Sequence, residues 1–134
     1  MIYKTRLFAR WARKEGLSDE ALCQAVGEMF RGLFDTNLGG NLFKKRIARS
    51  GRGKRGGFRT IVATNLESRW LFVYGFAKNQ RDNIEEDEEV ALKKLAATLL
   101  KMSPEAVAKA IDADELIEVI CDAQEEVQDT RCRS

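Results

Sequence analysis

The sequence predicts an α+β fold: an N-terminal strand and helices, then an antiparallel β-meander, then acidic C-terminal helices. Three observations carry this. Residues 42–49, 58–66 and 69–77 are consecutive segments of strand-like composition. Apolar residues recur at helical spacing both before and after them. The helical stretches are announced by hydroxyl caps at Ser18 and Ser103. At 134 residues and 44% hydrophobic, the chain suits one domain with a modest core.

Residues 2–7 (IYKTRL) alternate apolar and polar residues and read as the first strand; residues 8–15 read as a helical turn or two stopped at Gly16. Ser18, followed by Asp19 and Glu20, starts the next helix, with carboxylates near the positive end of its dipole. Ala21, Leu22, Ala25, Val26, Met29, Phe30 and Leu33 follow as its core stripe. NLGGN, residues 37–41, is turn chemistry. In residues 69–77 both faces are apolar, which marks a central strand, with Trp70, Phe72, Tyr74 and Phe76 assigned to one of them. The turn at Glu67 and Ser68 makes the last two strands a hairpin.

Past Asp82 the period becomes helical. Glu85 to Glu89 favour a helix start, Ser103-Pro104 begins a second helix, and residues 112–115 begin a third carrying Leu116, Ile117, Val119 and Ile120. The end from Gln128 is expected to fray. No run approaches the roughly 20 apolar residues of a membrane span, so a soluble, cytoplasmic protein is expected. Cys23, Cys121 and Cys132 lack metal-ligand spacing and are read as reduced thiols, with neither a disulfide framework nor a zinc site. Histidine is absent, which removes the usual neutral-pH general base and the commonest transition-metal ligand. No metal or cofactor is implied.

Charge is partitioned. Residues 1–81 hold 17 basic and 6 acidic side chains, a net +11, while residues 82–134 hold 6 and 15, a net −9. Within the first part, residues 42–59 (LFKKRIARSGRGKRGGFR) contain eight Lys/Arg, and no acid occurs from residue 36 to 66. An unneutralised cationic block on a sheet reads as a site for a polyanion backbone, RNA or DNA. Lys44 and Arg46 share one strand face, and Lys45, Ile47 and Arg49 the other. Arg52, Lys54 and Arg55 lie in the glycine-rich turn, where they either sweep over phosphates or only solubilise a hairpin tip; the turn lacks the spacing of a P-loop. Arg59 either faces a cleft or guards an edge strand. Lys78 and Arg81 follow the aromatic strand, where polar groups can be presented into a groove or merely form a turn. The acidic helices from residue 104 either bring acid to the rim of the basic groove or solvate an outer face.

The phrases KKRIAR, GKRGGFRTIVA and WLFVYGFAKNQRDNI, in that order after a strand and helices, resemble the RelE/ParE toxin superfamily of bacterial type II toxin–antitoxin systems, especially its RelE/HigB-like branch. The resemblance implies a RelE-like toxin domain at residues 1–102, with residues 103–134 a helical extension packed on it. It implies an endoribonuclease (mRNA interferase) that cleaves mRNA on the ribosome without metal and so inhibits translation. The implied partners are ribosome-bound mRNA and a cognate antitoxin, a DNA-binding regulator encoded adjacently. The family's functional positions fall on Lys45, Arg46 and Arg49, then Arg59, then Lys78 and Arg81. The family's tyrosine beyond the last basic pair has no counterpart in residues 82–85, which leaves base stacking and the general base unassigned. Two non-enzymatic alternatives share the need for a basic face: a gyrase-directed, ParE-like toxin and an RNA-binding module.

Overall fold

The computed structural model describes residues 1–48 and 57–121. Arg49, Arg52, Lys54, Arg55, the glycine-rich turn and the end from Gln128 lie outside the described residues. The elements are β1 (Ile2–Thr5), α1 (Arg6–Glu15), α2 (Asp19–Phe30), β2 (Thr36–Gly39), β3 (Leu42–Ile47), β4 (Phe58–Thr64), β5 (Trp70–Ala77), α3 (Glu86–Lys101), α4 (Pro104–Asp112) and β6 (Leu116–Glu118). Among the described residues they form one six-stranded sheet in the order β2-β3-β4-β5-β1-β6. The meander β2 to β5 is antiparallel, β1 returns parallel to β5, and β6 closes the far edge antiparallel to β1.

Local chemistry sets the helix boundaries. Thr5 caps α1 by accepting from the Phe8 N–H at 3.2 Å, so the first strand ends at Thr5 rather than at residue 7, and Leu7 becomes an exposed helical residue. Gly16 ends α1 at φ 77°, a left-handed conformation that glycine adopts without steric cost. Ser18 and Ser103 cap α2 and α4 through the N–H groups of Ala21 and Ala106. The Arg69 guanidinium donates to the carbonyls of Leu99 and Met102, satisfying the C-terminal end of α3.

One core lies between the sheet and α1/α2, built around Phe8, Leu22, Met29, Phe43, Phe58, Val62 and Phe72; the second lies between the opposite sheet face and α3/α4, built around Leu42, Ile61, Leu71, Val73, Ala96 and Leu116. Several expectations change at this level. Phe30 and Leu33, expected in the α2 stripe, are 68% and 55% exposed, because α2 ends at Phe30 and the chain turns away through Gly32 at φ 88°. Part of NLGGN is strand: β2 pairs with β3, and the reversal falls on Gly39, Gly40 and Asn41, all at positive φ. The expected third helix is instead β6. Asp114 adopts φ 61°, and Leu116 and Val119 are buried, with Val119 N–H bonded to the Ile2 carbonyl at 2.9 Å. An apolar run this short is satisfied by pairing with an open sheet edge.

The expectation of reduced thiols also fails for two of the three cysteines. Cys23 on α2 and Cys121 just after β6 form a disulfide across a sequence separation of 98. Sequence spacing could not reveal it, since the sulfurs meet only because β6 returns the chain to the α2 side of the fold.

β5 does not keep the strict alternation expected of it. A register shift between Ile61 and Val62 pairs Ile61 with Tyr74 and Val62 with Phe72, skipping Val73. Trp70 and Phe72 enter the α1/α2 core, whereas Tyr74 and Phe76 emerge on the other face. The bulge therefore divides the aromatic row that strict alternation placed on one side. Gly75 follows at the α1 face, where a Cβ would collide with the Trp11 indole.

Candidate nucleic-acid interface

The sheet face beside α3 carries two cross-strand rows. Arg46, Arg59 and Phe76 are directly opposite one another on β3, β4 and β5; one step along, Lys44, Ile61 and Tyr74 form the second row. Directly opposed residues on neighbouring strands have Cβ atoms roughly 4.5–5.5 Å apart, so two like charges there destabilise the sheet. Arg46 and Arg59 are such a pair. Arg59 is half-buried and Arg46 exposed, and neither has a hydrogen-bond or ion-pair partner among the described residues. Phe76, buried, supplies an apolar wall beside Arg59.

The flanking groups behave differently. The Lys44 ammonium donates to Asn83 Oδ1 at 2.9 Å. Lys78, exposed just past β5, has its backbone N–H on the Gly57 carbonyl, which ties the end of β5 to the start of β4. Arg81 is almost saturated. It donates through Nε to the Asn83 carbonyl at 3.0 Å, through Nη1 to Tyr74 Oη at 2.9 Å and Glu88 Oε2 at 3.2 Å, and through Nη2 to Glu88 Oε1 at 2.6 Å. Its guanidinium lies 5.5 Å from the Phe76 ring centroid. The Glu88 carboxylate holds Arg81 further above its ordinary pKa, and Arg81 in turn holds the Glu88 carboxyl below the usual carboxylate range. Glu88 also accepts from the Glu85 N–H at 2.6 Å, so the start of α3 is fixed to the site.

Lys45 points away from these rows. It is 7% exposed on the α2 face, ion-paired to Glu28 Oε1 at 2.7 Å and donating to the Leu33 carbonyl at 2.9 Å. A hydrogen bond from Lys45 lowers the Glu28 pKa. The cavity of about 620 Å³ beside it is of mixed charge, lined by Glu20, Glu28 and Asp35 together with Lys45 and Arg46.

Of the sequence-proposed residues, the fold brings Lys44, Arg46, Arg59 and Arg81 onto one face, sets Lys78 at its end, and places Lys45 behind the sheet. Tyr74, Asn83 and Glu88 escaped the sequence reading. Tyr74 was legible only through Gly75, since glycine inside a strand often marks a bulge or close approach; Glu88 was one acid in the helix-starting run. Among the described residues, no group of His, Cys, Asp and Glu could hold a metal ion, and no helix is long and apolar enough to cross a membrane.

Fold and face together define a small α+β protein with an open cationic sheet surface. The family model described as the RelE toxin of the RelE/RelB toxin–antitoxin system matches residues 1–119, and the chain belongs to that family. It is thus a toxin-family protein, and an antitoxin is its partner. The match includes α4 and β6. No curated protein sequence matches the chain.

Proposed function

We propose that the protein is an endoribonuclease of the RelE/HigB type, cleaving ribosome-bound mRNA and thereby stopping translation. The observation that carries this is the cross-strand pairing of Arg46 with Arg59, two like charges with no neutralising partner among the described residues. A phosphate seated between the two guanidiniums would relieve their repulsion, and arginine forks match its oxygens in two-pronged fashion.

In the reaction the RNA 2′-oxygen attacks the adjacent phosphorus. The O2′–P bond forms and the P–O5′ bond breaks, leaving a 2′,3′-cyclic phosphate and a 5′-hydroxyl. Arg59 and Arg46 stabilise the extra negative charge on the non-bridging oxygens, an electrostatic contribution that is strongest where donors are already oriented. Phe76 offers Arg59 an apolar flank. Lys44, oriented by Asn83, and Lys78 hold neighbouring phosphates. Arg49, Arg52, Lys54 and Arg55, in the sequence between β3 and β4, remain backbone-binding residues in this reading. Lys45 serves the fold through Glu28.

Pulse labelling after induction without antitoxin tests the reading. Amino-acid incorporation should stop before DNA synthesis does, with mRNA shortened. Intact messenger and continued incorporation alongside DNA damage would overturn it in favour of a gyrase-directed toxin.

A further inference from the structure

We propose that Tyr74 is the general acid that protonates the leaving 5′-oxygen, held for that task by Arg81, which Glu88 fixes in place. The proposal rests on the ribonuclease reading above. With no histidine in the chain, proton transfer falls to another side chain. Of the two tyrosines, Tyr3 is buried beneath the α3/α4 side of the sheet. Tyr74 is half-exposed, and only the β4–β5 bulge turns it to the Arg59 face. Bulges are a recurrent means of re-aiming one side chain beside an active site.

The hydrogen-bond directions suit an acid. Arg81 donates to Tyr74 Oη at 2.9 Å, and the phenol's own O–H donates to nothing among the described residues. Once the phenol gives up its proton, the negative charge forms on the oxygen that already faces a guanidinium. Arg81 lies over Phe76, directly across from Arg59, so the phenol is drawn toward the row that would hold the scissile phosphate.

Donor counting separates the roles. A guanidinium has five N–H donors, and four hydrogen bonds to Asn83, Tyr74 and Glu88 leave Arg81 no two-pronged grip for a phosphate. Arg81 is a positioning residue, and Glu88 positions it. In the balanced step the 2′-hydroxyl loses its proton to water as O2′–P forms. The Tyr74 proton passes to the 5′-oxygen as P–O5′ breaks, and the phenolate then recovers a proton from water.

The test compares wild type and Tyr74→Phe on ribosome-bound mRNA with one cleavable linkage, either ordinary or carrying sulfur in place of the bridging 5′-oxygen. Sulfur leaves without protonation. Tyr74→Phe should slow ordinary cleavage about 100-fold or more and cleave the sulfur linkage at the wild-type rate. Arg81→Met should repeat the pattern, and it carries the comparison if the phenylalanine variant fails to fold. Unchanged ordinary cleavage by Tyr74→Phe, or equal slowing on both linkages, would overturn the assignment. Absence of cleavage by wild type on either linkage would overturn the ribonuclease reading itself, and the acid assignment with it.

Discussion

Replacing Lys45 with methionine is expected to leave toxicity intact at a cost of about 1–2 kcal/mol in stability. Methionine keeps the apolar stem and fits a site that is 7% exposed. Two interactions disappear: the ion pair to Glu28 and the bond to the Leu33 carbonyl. The Glu28 side chain is 32% exposed and re-solvates, and Leu33 is itself exposed, so the loss falls near the low end of the roughly 1–3 kcal/mol for an unsatisfied polar group. Glu28→Ala should cost more, about 2–3 kcal/mol, because it leaves a buried ammonium without its counter-charge; the remaining bond to the Leu33 carbonyl and the partial exposure of Glu28 keep this below the roughly 3–5 kcal/mol of a fully buried pair. Urea unfolding measures both, and with slopes of about 1–3 kcal/mol per molar the methionine variant should shift the midpoint by about 0.3–2 M. A methionine variant that keeps its stability but loses toxicity would refute the reasoning and return Lys45 to the RNA site.

Gly75→Ala should destabilise by about 1–3 kcal/mol through overpacking against Trp11, read as a lower calorimetric melting temperature. Cys23→Ser should lower stability by up to about 4 kcal/mol, since the bridge closes a long loop, and non-reducing peptide mapping should recover Cys23 joined to Cys121 in wild type. Glu28 has a lowered pKa in the fold, so its stabilisation is complete at neutral pH and is lost as pH falls below about 4.5, the ordinary carboxyl value. Glu28→Gln should flatten that acid limb of the stability curve.

Much of the scaffold was legible because its signals are local. Ser18, Ser103-Pro104 and Gly16 mark helix boundaries by their own hydrogen bonds and dihedrals, and the meander follows from strand patterning and the turn at Glu67 and Ser68, although β4 already ends at Thr64 and Asn65 closes the turn. The basic face was legible in part, since period two separates Lys44 and Arg46 from Lys45 wherever the ladder is regular. Non-local features were not. The bulge at Val73 breaks that period and moves Tyr74 to the Arg59 face, and within Trp70 to Ala77 only Gly75 hints at it. The Arg81–Glu88 clamp joins residues seven apart across a strand-to-helix turn, and β6 is a strand only because β1 offers it an edge. Lys45 reads as one more cation until α2 supplies Glu28.

The most direct measurement is end-mapped cleavage of ribosome-bound mRNA by wild type and by Arg59→Ala, with melting temperatures matched. Arg59 has no partner among the described residues, so its loss should leave the fold unchanged while removing a donor from the phosphate site. Wild type should leave 2′,3′-cyclic phosphate ends, and Arg59→Ala should cut about 100- to 1000-fold more slowly. Cleavage by Arg59→Ala at the wild-type rate would contradict the assignment of the Arg46–Arg59 face as the phosphate site.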